Sequence, residues 1–401
     1  MQWHINRSAL AGKPLADCDA AAFGGQVLPG VREHLAAFDY RRTPLHDLPA
    51  LAAGLGLARI AVKDEGSRSS LGSFKALGGT HAVVRVVLAE AGRALGRLPA
   101  AAELHSETVR RLAAAMTVTC ATDGNHGRAV AAGAALAGCR AVIFIHAGVS
   151  EARAQAIREQ GAEVVRVAGN YDDSVAEAGR IAARRGWLLV SDTSWPGYEQ
   201  VPTWVMQGYL VMASEALEQF RAGQGGTPTH VFLQAGVGGY AAAVAAHLSL
   251  ALGDEAPRFI VVEPERAACL YRSAVAGVLT RIPADEPTVM AMLECYEPSL
   301  IGWRILERVA HGFLAIGEES ALRAMRALAR PRAGDPAVRG GESGGAGLAG
   351  LMAAAGSADA RRDFGLDESS SVLLFNTEGA TDPDLYDALL AREDAHDRAG
   401  H

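Results

Sequence analysis

The chain has 401 residues, 49% of them apolar and 21% charged, and its 38 Lys and Arg against 45 Asp and Glu leave a formal net charge of -7. That length accommodates two domains with full cores, and the charge offers no basic stripe for nucleic acid. The start, Met1-Gln2-Trp3-His4-Ile5-Asn6, lacks the basic-then-apolar order of a signal peptide, and no apolar run reaches the ~20 residues that span a bilayer, so the expected compartment is the cytoplasm with no membrane partner.

Short apolar runs alternate with alanine-rich helical stretches, which predicts an α/β architecture with largely parallel sheets. Lys75 comes first, in Gly72-Ser73-Phe74-Lys75-Ala76-Leu77-Gly78-Gly79, at a predicted loop-to-helix junction. Met116-Thr117-Val118-Thr119-Cys120 reads as a strand, followed by a helix over about 126–137. Ala141-Val142-Ile143-Phe144-Ile145 is the next strand, and Ser150-Glu151 opens a helix with an acidic first turn. Glu163-Val164-Val165-Arg166-Val167 and Trp187-Leu188-Leu189-Val190 complete a four-strand unit. Later strands are predicted at 230–234, 258–262 and 372–375, each ending at a Gly, Glu-Pro or Asn-Thr turn, where open α/β sheets place their ligands. Residues 331–347, rich in Gly, Pro and Arg, read as a long loop, and the acidic tail after Arg392 as frayed. The arrangement expected is a small α/β domain, residues 81–199, inserted into a larger cofactor-binding domain formed by 1–80 and 200–401. The site then lies in the cleft between them.

Three features carry chemistry. Lys75, among small and apolar neighbours, fits a desolvated, partly neutral amine able to form a Schiff base with an aldehyde cofactor. Gly236-Val237-Gly238-Gly239, between a predicted strand and a predicted helix, fits a phosphate cradle of backbone N–H groups that needs no lysine or arginine. Thr122-Asp123-Gly124-Asn125-His126-Gly127 is a polar turn at the end of a strand, with Gly124-Asn125 by itself a turn dipeptide. Taken in order, the set points to pyridoxal phosphate. Of the five cysteines, Cys120 and Cys139 read as core residues, and a redox pair between Cys269 and Cys295 stays open. No metal-ligand set is identified.

The ordered motifs resemble the fold type II (tryptophan-synthase-like) pyridoxal phosphate enzymes, and within them the diaminopropionate ammonia-lyases. The matching stretches are Lys63-Asp64-Glu65, Phe74-Lys75-Ala76-Leu77-Gly78-Gly79, Ala121-Thr122-Asp123-Gly124-Asn125-His126-Gly127-Arg128, Asn170-Tyr171-Asp172-Asp173, and Pro202-Thr203-Trp204-Val205-Met206-Gln207-Gly208-Tyr209. Thr227-Pro228-Thr229-His230-Val231, Gln234-Ala235-Gly236-Val237-Gly238, Glu263-Pro264, Gly341-Glu342-Ser343-Gly344 and Asn376-Thr377-Glu378-Gly379 complete the set. The resemblance implies that Phe74, Lys75, Asn125, Gly236, Val237, Gly238, Gly239 and Thr377 hold the cofactor. Asn125 would meet its phenolic oxygen, and Thr377 would face the pyridine nitrogen with a neutral hydroxyl. It implies catalytic roles for Lys75, Asp123 and Asp192, and a substrate site formed by Asp123, Gly124, Tyr171 and Asp192. His126 reads as structural. The activity implied is α,β-elimination of ammonia from 2,3-diaminopropionate through Cα deprotonation and loss of the β-amine, with aminoacrylate hydrolysed to pyruvate and ammonia. The partner implied is a small amino-acid substrate, and the assembly a homodimer.

Asp123 separates this reading from the serine and threonine dehydratases, which usually carry a hydroxyl residue at that place. A carboxylate there suits a β-ammonium group and can accept a Cα proton from the face opposite Lys75. Two departures stand beside the match. Ser69-Ser70 replace a usual aromatic-glycine pair, and Met292, Tyr296 and Leu300 replace two glycines and a proline. If the second segment lines the cleft, its bulk changes substrate size or β-substituent. The alternative reading is therefore elimination or replacement on another β-substituted alanine. From a different class, a cofactor-binding scaffold without turnover is disfavoured by the joint presence of Lys75, Asp123 and Asp192.

Overall fold

The computed structural model describes residues 1–391. The strands run β1 (Gln2–Ile5), β2 (Leu45–Asp47), β3 (Arg59–Asp64), β4 (Thr117–Ala121), β5 (Arg140–His146), β6 (Glu163–Val167), β7 (Leu188–Leu189), β8 (His230–Gln234), β9 (Arg258–Pro264), β10 (Ala310–Ile316) and β11 (Ser371–Asn376). Seven form one sheet in the order β1-β10-β9-β8-β11-β3-β2. It is parallel except at its edges, where β1 runs against β10 and β2 against β3. The other four form a parallel sheet in the order β6-β5-β4-β7. This is the α/β class with two open, mostly parallel sheets that the sequence predicts.

The central strands of the large sheet are covered on both faces, which is why they read as unbroken apolar runs. Val231-Phe232-Leu233, Phe259-Ile260-Val261-Val262 and Val372-Leu373-Leu374-Phe375 are all buried. The helices Gly239–Leu252 and Ala346–Ala355 are mostly Ala, Gly, Val and Leu with little polar stripe, as expected of helices enclosed by neighbours.

Four strands escape the sequence reading, for different reasons. β1 and β2 are short edge strands, and His311 and Gly312 interrupt the apolar run of β10. β3 carries Arg59, Lys63 and Asp64, charges that suggest a surface. Here Arg59 and Lys63 are buried and paired. Arg59 donates to Asp47 at 2.6 Å, and Lys63 Nζ donates to Glu215 (2.6 Å), Gln219 (2.8 Å) and the Thr43 carbonyl (2.7 Å). Arg68 donates to both oxygens of Glu65 and to Glu215, each at 2.8 Å. Removing one partner from such a network leaves an uncompensated buried charge, which costs several kcal/mol.

The long loop expected over 331–347 connects the helices Glu318–Ala329 and Ala346–Ala355, the second of which takes up its last two residues. All five cysteines are free thiols, so Cys269 and Cys295 are unpaired. The tail after Arg392 lies outside the described residues. Among the described residues no helix is long and apolar enough to cross a membrane.

Candidate active site

Lys75 is the first residue of the helix Lys75–Leu95, and the loop before it is fastened to the segment after β11. The Phe74 N–H donates to the Thr377 carbonyl and the Gly379 N–H to the Gly72 carbonyl, both at 3.0 Å. The Phe74 ring packs on Tyr209 and Tyr240, with centroids 4.7 and 5.0 Å apart. Gly78 and Gly79 set how closely the neighbouring helices approach. A Cβ on Gly78 would lie 2.6 Å from the Val205 carbonyl, and one on Gly79 2.6 Å from the Ala129 Cβ. Side chains there would push those helices away from the start of the lysine helix.

The Lys75 amine donates to Asp192, which follows β7. Burial works against the ammonium, but Asp192 outweighs it and holds the Lys75 pKa above its ordinary value. The expectation of a partly neutral lysine is corrected on this point: desolvation alone would neutralise the amine, whereas a carboxylate in contact keeps it charged. Burial likewise opposes the Asp192 carboxylate, yet Lys75 and, beyond it, His126 hold its pKa well below the usual range. The Tyr198 hydroxyl, which accepts from the Ser191 N–H at 3.1 Å and donates to the Leu189 carbonyl at 2.8 Å, steadies the turn that carries Asp192. Tyr171 is buried, not a surface residue, and donates to Asp192 Oδ1 at 3.3 Å.

The glycine loop lies between β8 and the helix Gly239–Leu252 and lines the same cavity as Lys75, Asp123, Asn125, Tyr171, Asp192 and Thr377. Among the described residues no protein acceptor takes the N–H of Gly236, Val237 or Gly238. Gly238 has φ +94°, and a Cβ there would stand 3.0 Å from Leu270, so this position favours glycine.

Across the cavity, Asp123 and Gly124 follow β4, with Asn125 opening the helix Asn125–Ala137. Thr122 Oγ1 accepts the N–H of Gly124 and of Gly127, each at 3.0 Å, and so shapes the turn. Among the described residues the N–H groups of Asn125 and His126 have no acceptor, which leaves the positive end of this helix free for an anion. His126 Nε2 donates to the Val190 carbonyl at 2.7 Å, and its Nδ1 lies 4.0 Å from Asp192. Thr377 Oγ1 accepts from Gln234 Nε2 at 3.0 Å, leaving its own proton to donate. Burial raises the Asp123 carboxyl above its usual range, opposed by His146 and Arg153.

The structure therefore brings every site residue expected from sequence into one cavity, and adds groups the sequence reading missed. Glu378 accepts from the Asn125 side chain. Burial and the neighbouring Glu342 push the Glu378 carboxyl up to about 8. Arg153 donates to Glu342 at 3.1 Å. The motifs containing Glu342 and Glu378 were visible, but the contact of Glu378 with Asn125 joins segments from both sheets. His146, 2.9 Å from Asp123, left a fainter signal: it stands as far beyond Phe144 as Asp123 stands beyond Ala121. The divergent segment does line the cavity, through Met292, Leu293 and Cys295. Met292 Cε lies 3.8 Å from where a Cβ on Gly124 would stand. Leu300, in the proline's usual place, uses its N–H to donate to the Ser194 carbonyl at 2.9 Å, a bond proline cannot make.

These features fit pyridoxal phosphate. Unclaimed N–H groups in a glycine loop suit a phosphate, a buried amine suits an aldehyde, and a hydroxyl suits an aromatic nitrogen. Residues 36–375 match the sequence model of the family described as pyridoxal-phosphate dependent enzyme. A diaminopropionate ammonia-lyase from Salmonella typhimurium is 41% identical over 358 residues, covering 88% of each chain. One from Escherichia coli K12 is 40% identical over 351 residues, covering 86% of each. The crystal structure of Escherichia coli diaminopropionate ammonia lyase in complex with an aminoacrylate-PLP azomethine reaction intermediate aligns over 97% of this chain and 96% of that one, with TM-score 0.84 and 36% identity. The complex of that enzyme with D-serine aligns over the same shares with TM-score 0.85 and 34% identity. With the glycine loop, the lysine and the family match in agreement, the chain belongs to the pyridoxal-phosphate dependent enzymes, with the type II fold.

Proposed function

We infer that the chain eliminates ammonia from 2,3-diaminopropionate, with water yielding pyruvate and two molecules of ammonia. The observation that carries this reading is a cavity wall of two carboxylates with opposite tuning. Asp192 is held ionised by Lys75, while burial raises the Asp123 carboxyl above its usual range. Two acids pushed apart by their surroundings take different tasks.

Gly236 to Gly239 would hold the phosphate of the cofactor, Lys75 its aldehyde carbon and Thr377 its ring nitrogen, with Phe74 and Asn125 bordering the ring. When bound, pyridoxal phosphate supplies an electron sink that acidifies the substrate Cα–H and lets the β-substituent depart with its bonding pair. The N–H groups of Asn125 and His126, beside Gly124, receive the substrate carboxylate. Asp192, steadied by Tyr171, binds the β-ammonium group, which leaves as neutral ammonia and needs no further proton. An ionised Asp192 has no proton to give a departing hydroxide, so the wall favours an amine over the hydroxyl of serine. Lys75, in its neutral form, would accept the Cα proton of one enantiomer and Asp123 that of the other.

Residues 81–199 form the smaller domain, inserted into one made of 1–80 and 200–401. The placement of β4 to β7 within 117–189 supports this division. The enzyme works as a cytoplasmic homodimer, a reading supported for the compartment by five free thiols. A second reading, elimination or replacement on another β-substituted alanine, draws on Met292, which narrows the cavity beside Gly124.

Asp123→Asn tests the assignment. Turnover of D-diaminopropionate falls ~100-fold or more and that of the L-isomer by less than ~10-fold. Equal losses on both isomers would remove the two-base reading and leave Asp123 as a binding group. Turnover of another β-substituted alanine without turnover of the diamine would favour the second reading.

A further inference from the structure

β4 and β5 are parallel neighbours whose last registered pair is Ala121 with Phe144. Asp123 stands two residues beyond Ala121, past the end of β4, and His146 two residues beyond Phe144, at the end of β5, so the register brings the imidazole alongside the carboxylate. His146 Nε2 lies 2.9 Å from Asp123 Oδ1, an ion-pair distance, though not aligned as a hydrogen bond. The Gly148 N–H donates to His146 Nδ1 at 3.1 Å, so Nδ1 is the acceptor and Nε2 carries the proton that faces the carboxylate. Asp123 Oδ1 is a buried atom, which leaves Oδ2 as the oxygen available to a ligand.

We propose that His146 is a positioning residue for Asp123: its Nε2–H, fixed by Gly148, lies against Oδ1 at ion-pair distance and so favours an ionised carboxylate whose Oδ2 faces the substrate. The proposal rests on the reading of Asp123 as a proton acceptor and adds what makes that role possible. A carboxyl in so buried a place, without a donor beside it, would take up a proton and lose its basicity near neutral pH. The charged groups facing Asp123 are His146 at the end of β5, Arg153 on the helix Glu151–Arg158 and Asp192 after β7. Those facing His146 are Asp123, Glu294 from the segment that follows Met292, and Arg166 of β6. Asp123 and Glu294 favour the protonated imidazole while burial and Arg166 oppose it, and protonation of Nδ1 would cost the contact with Gly148.

The test uses the holoenzyme with 13C-labelled aspartate, the Asp123 signal being assigned with Asp123→Asn. In His146→Phe the titration midpoint of the Asp123 carboxyl rises by about one pH unit, as expected when a donor to the charged form is lost. The acid limb of kcat/KM for D-diaminopropionate moves by the same amount, and the L-isomer profile moves less. His146→Gln, which keeps a side-chain N–H donor, returns most of both shifts. An unmoved Asp123 midpoint in a folded His146→Phe protein overturns the proposal, and so does a shift that His146→Gln fails to reduce, since packing would then be the cause. Equal loss of both isomers in Asp123→Asn would instead count against Asp123 as a base. The carboxyl midpoint is read without turnover and keeps the two failures distinct.

Discussion

The two sheets meet the site with different chemistry. The seven-stranded sheet presents uncharged groups at its strand ends: the N–H groups of Gly236 to Gly238 after β8 and the Thr377 hydroxyl after β11. The four-stranded sheet presents ionisable ones: Asp123 after β4, His146 ending β5 and Asp192 after β7. Holding is thus separated from proton handling. Substitutions on the first side are expected to act on cofactor retention or stability, and those on the second on isomer choice and pH dependence with the cofactor in place. Lys75 belongs to neither sheet and joins the two, being fastened through Phe74 to the Thr377 segment and paired through its amine with Asp192.

The largest break in this division is Lys75→Ala, which removes the joining group. Turnover falls by ~1000-fold or more, and the visible absorbance of the protein-bound cofactor changes, whereas Asp123→Asn leaves it in place. Next, Glu215→Ala strips the partner from Lys63 and Arg68 beneath the large sheet. It should cost about 3–5 kcal/mol in denaturant unfolding and leave isomer preference unchanged in the fraction that folds. Gly238→Val forces a β-branched residue to φ +94° against Leu270. Strain of about 1–2 kcal/mol weakens cofactor affinity by roughly tenfold or more, read by equilibrium dialysis, with the D-to-L activity ratio of the loaded enzyme unchanged.

Glu378 gives the smallest effect and sharpens the comparison, since it is an acid on the otherwise uncharged side. Its carboxyl is raised from an ordinary 4.5 to about 8 by burial and Glu342. The folded protein therefore binds this proton more tightly than the unfolded chain does. The stabilisation is full below about pH 4.5 and is lost as pH rises towards about 8. The thermal midpoint of the native protein should fall across that interval more steeply than that of Glu378→Gln, whose amide has no proton to lose. Parallel curves would mean that Glu378 is ionised throughout.

Much of this could be read from the chain because the large sheet's core strands and their turns are local signals. Val231-Phe232-Leu233 running into Gly236 announces a strand, its end and a phosphate loop within a few residues. The same locality hid β3, whose Arg59 and Lys63 look solvated until Asp47 and Glu215 are brought to them from elsewhere in the chain. It also hid His146 and Glu378. A lone histidine at a strand end says nothing until the neighbouring strand is set in register, and the contact of Asn125 with Glu378 joins residues from the two sheets. The state of Lys75 was misread for a related reason: desolvation can be judged from its neighbours in sequence, whereas the carboxylate that reverses its effect comes from after β7. Ser69, where the aromatic-glycine pair usually begins, adopts φ +51°, and its hydroxyl accepts the Leu71 N–H at 3.2 Å, so a polar turn stands where that pair would.

The most direct test of the central claim is the release of pyruvate and ammonia from L- and D-2,3-diaminopropionate by the holoenzyme, with L-serine and L-threonine alongside. A wall of two carboxylates that binds a β-ammonium group predicts two ammonia per pyruvate from both isomers of the diamine, at rates well above those for the hydroxy amino acids. Faster pyruvate release from serine or threonine, or no pyruvate from either isomer of the diamine with the cofactor bound, would contradict it.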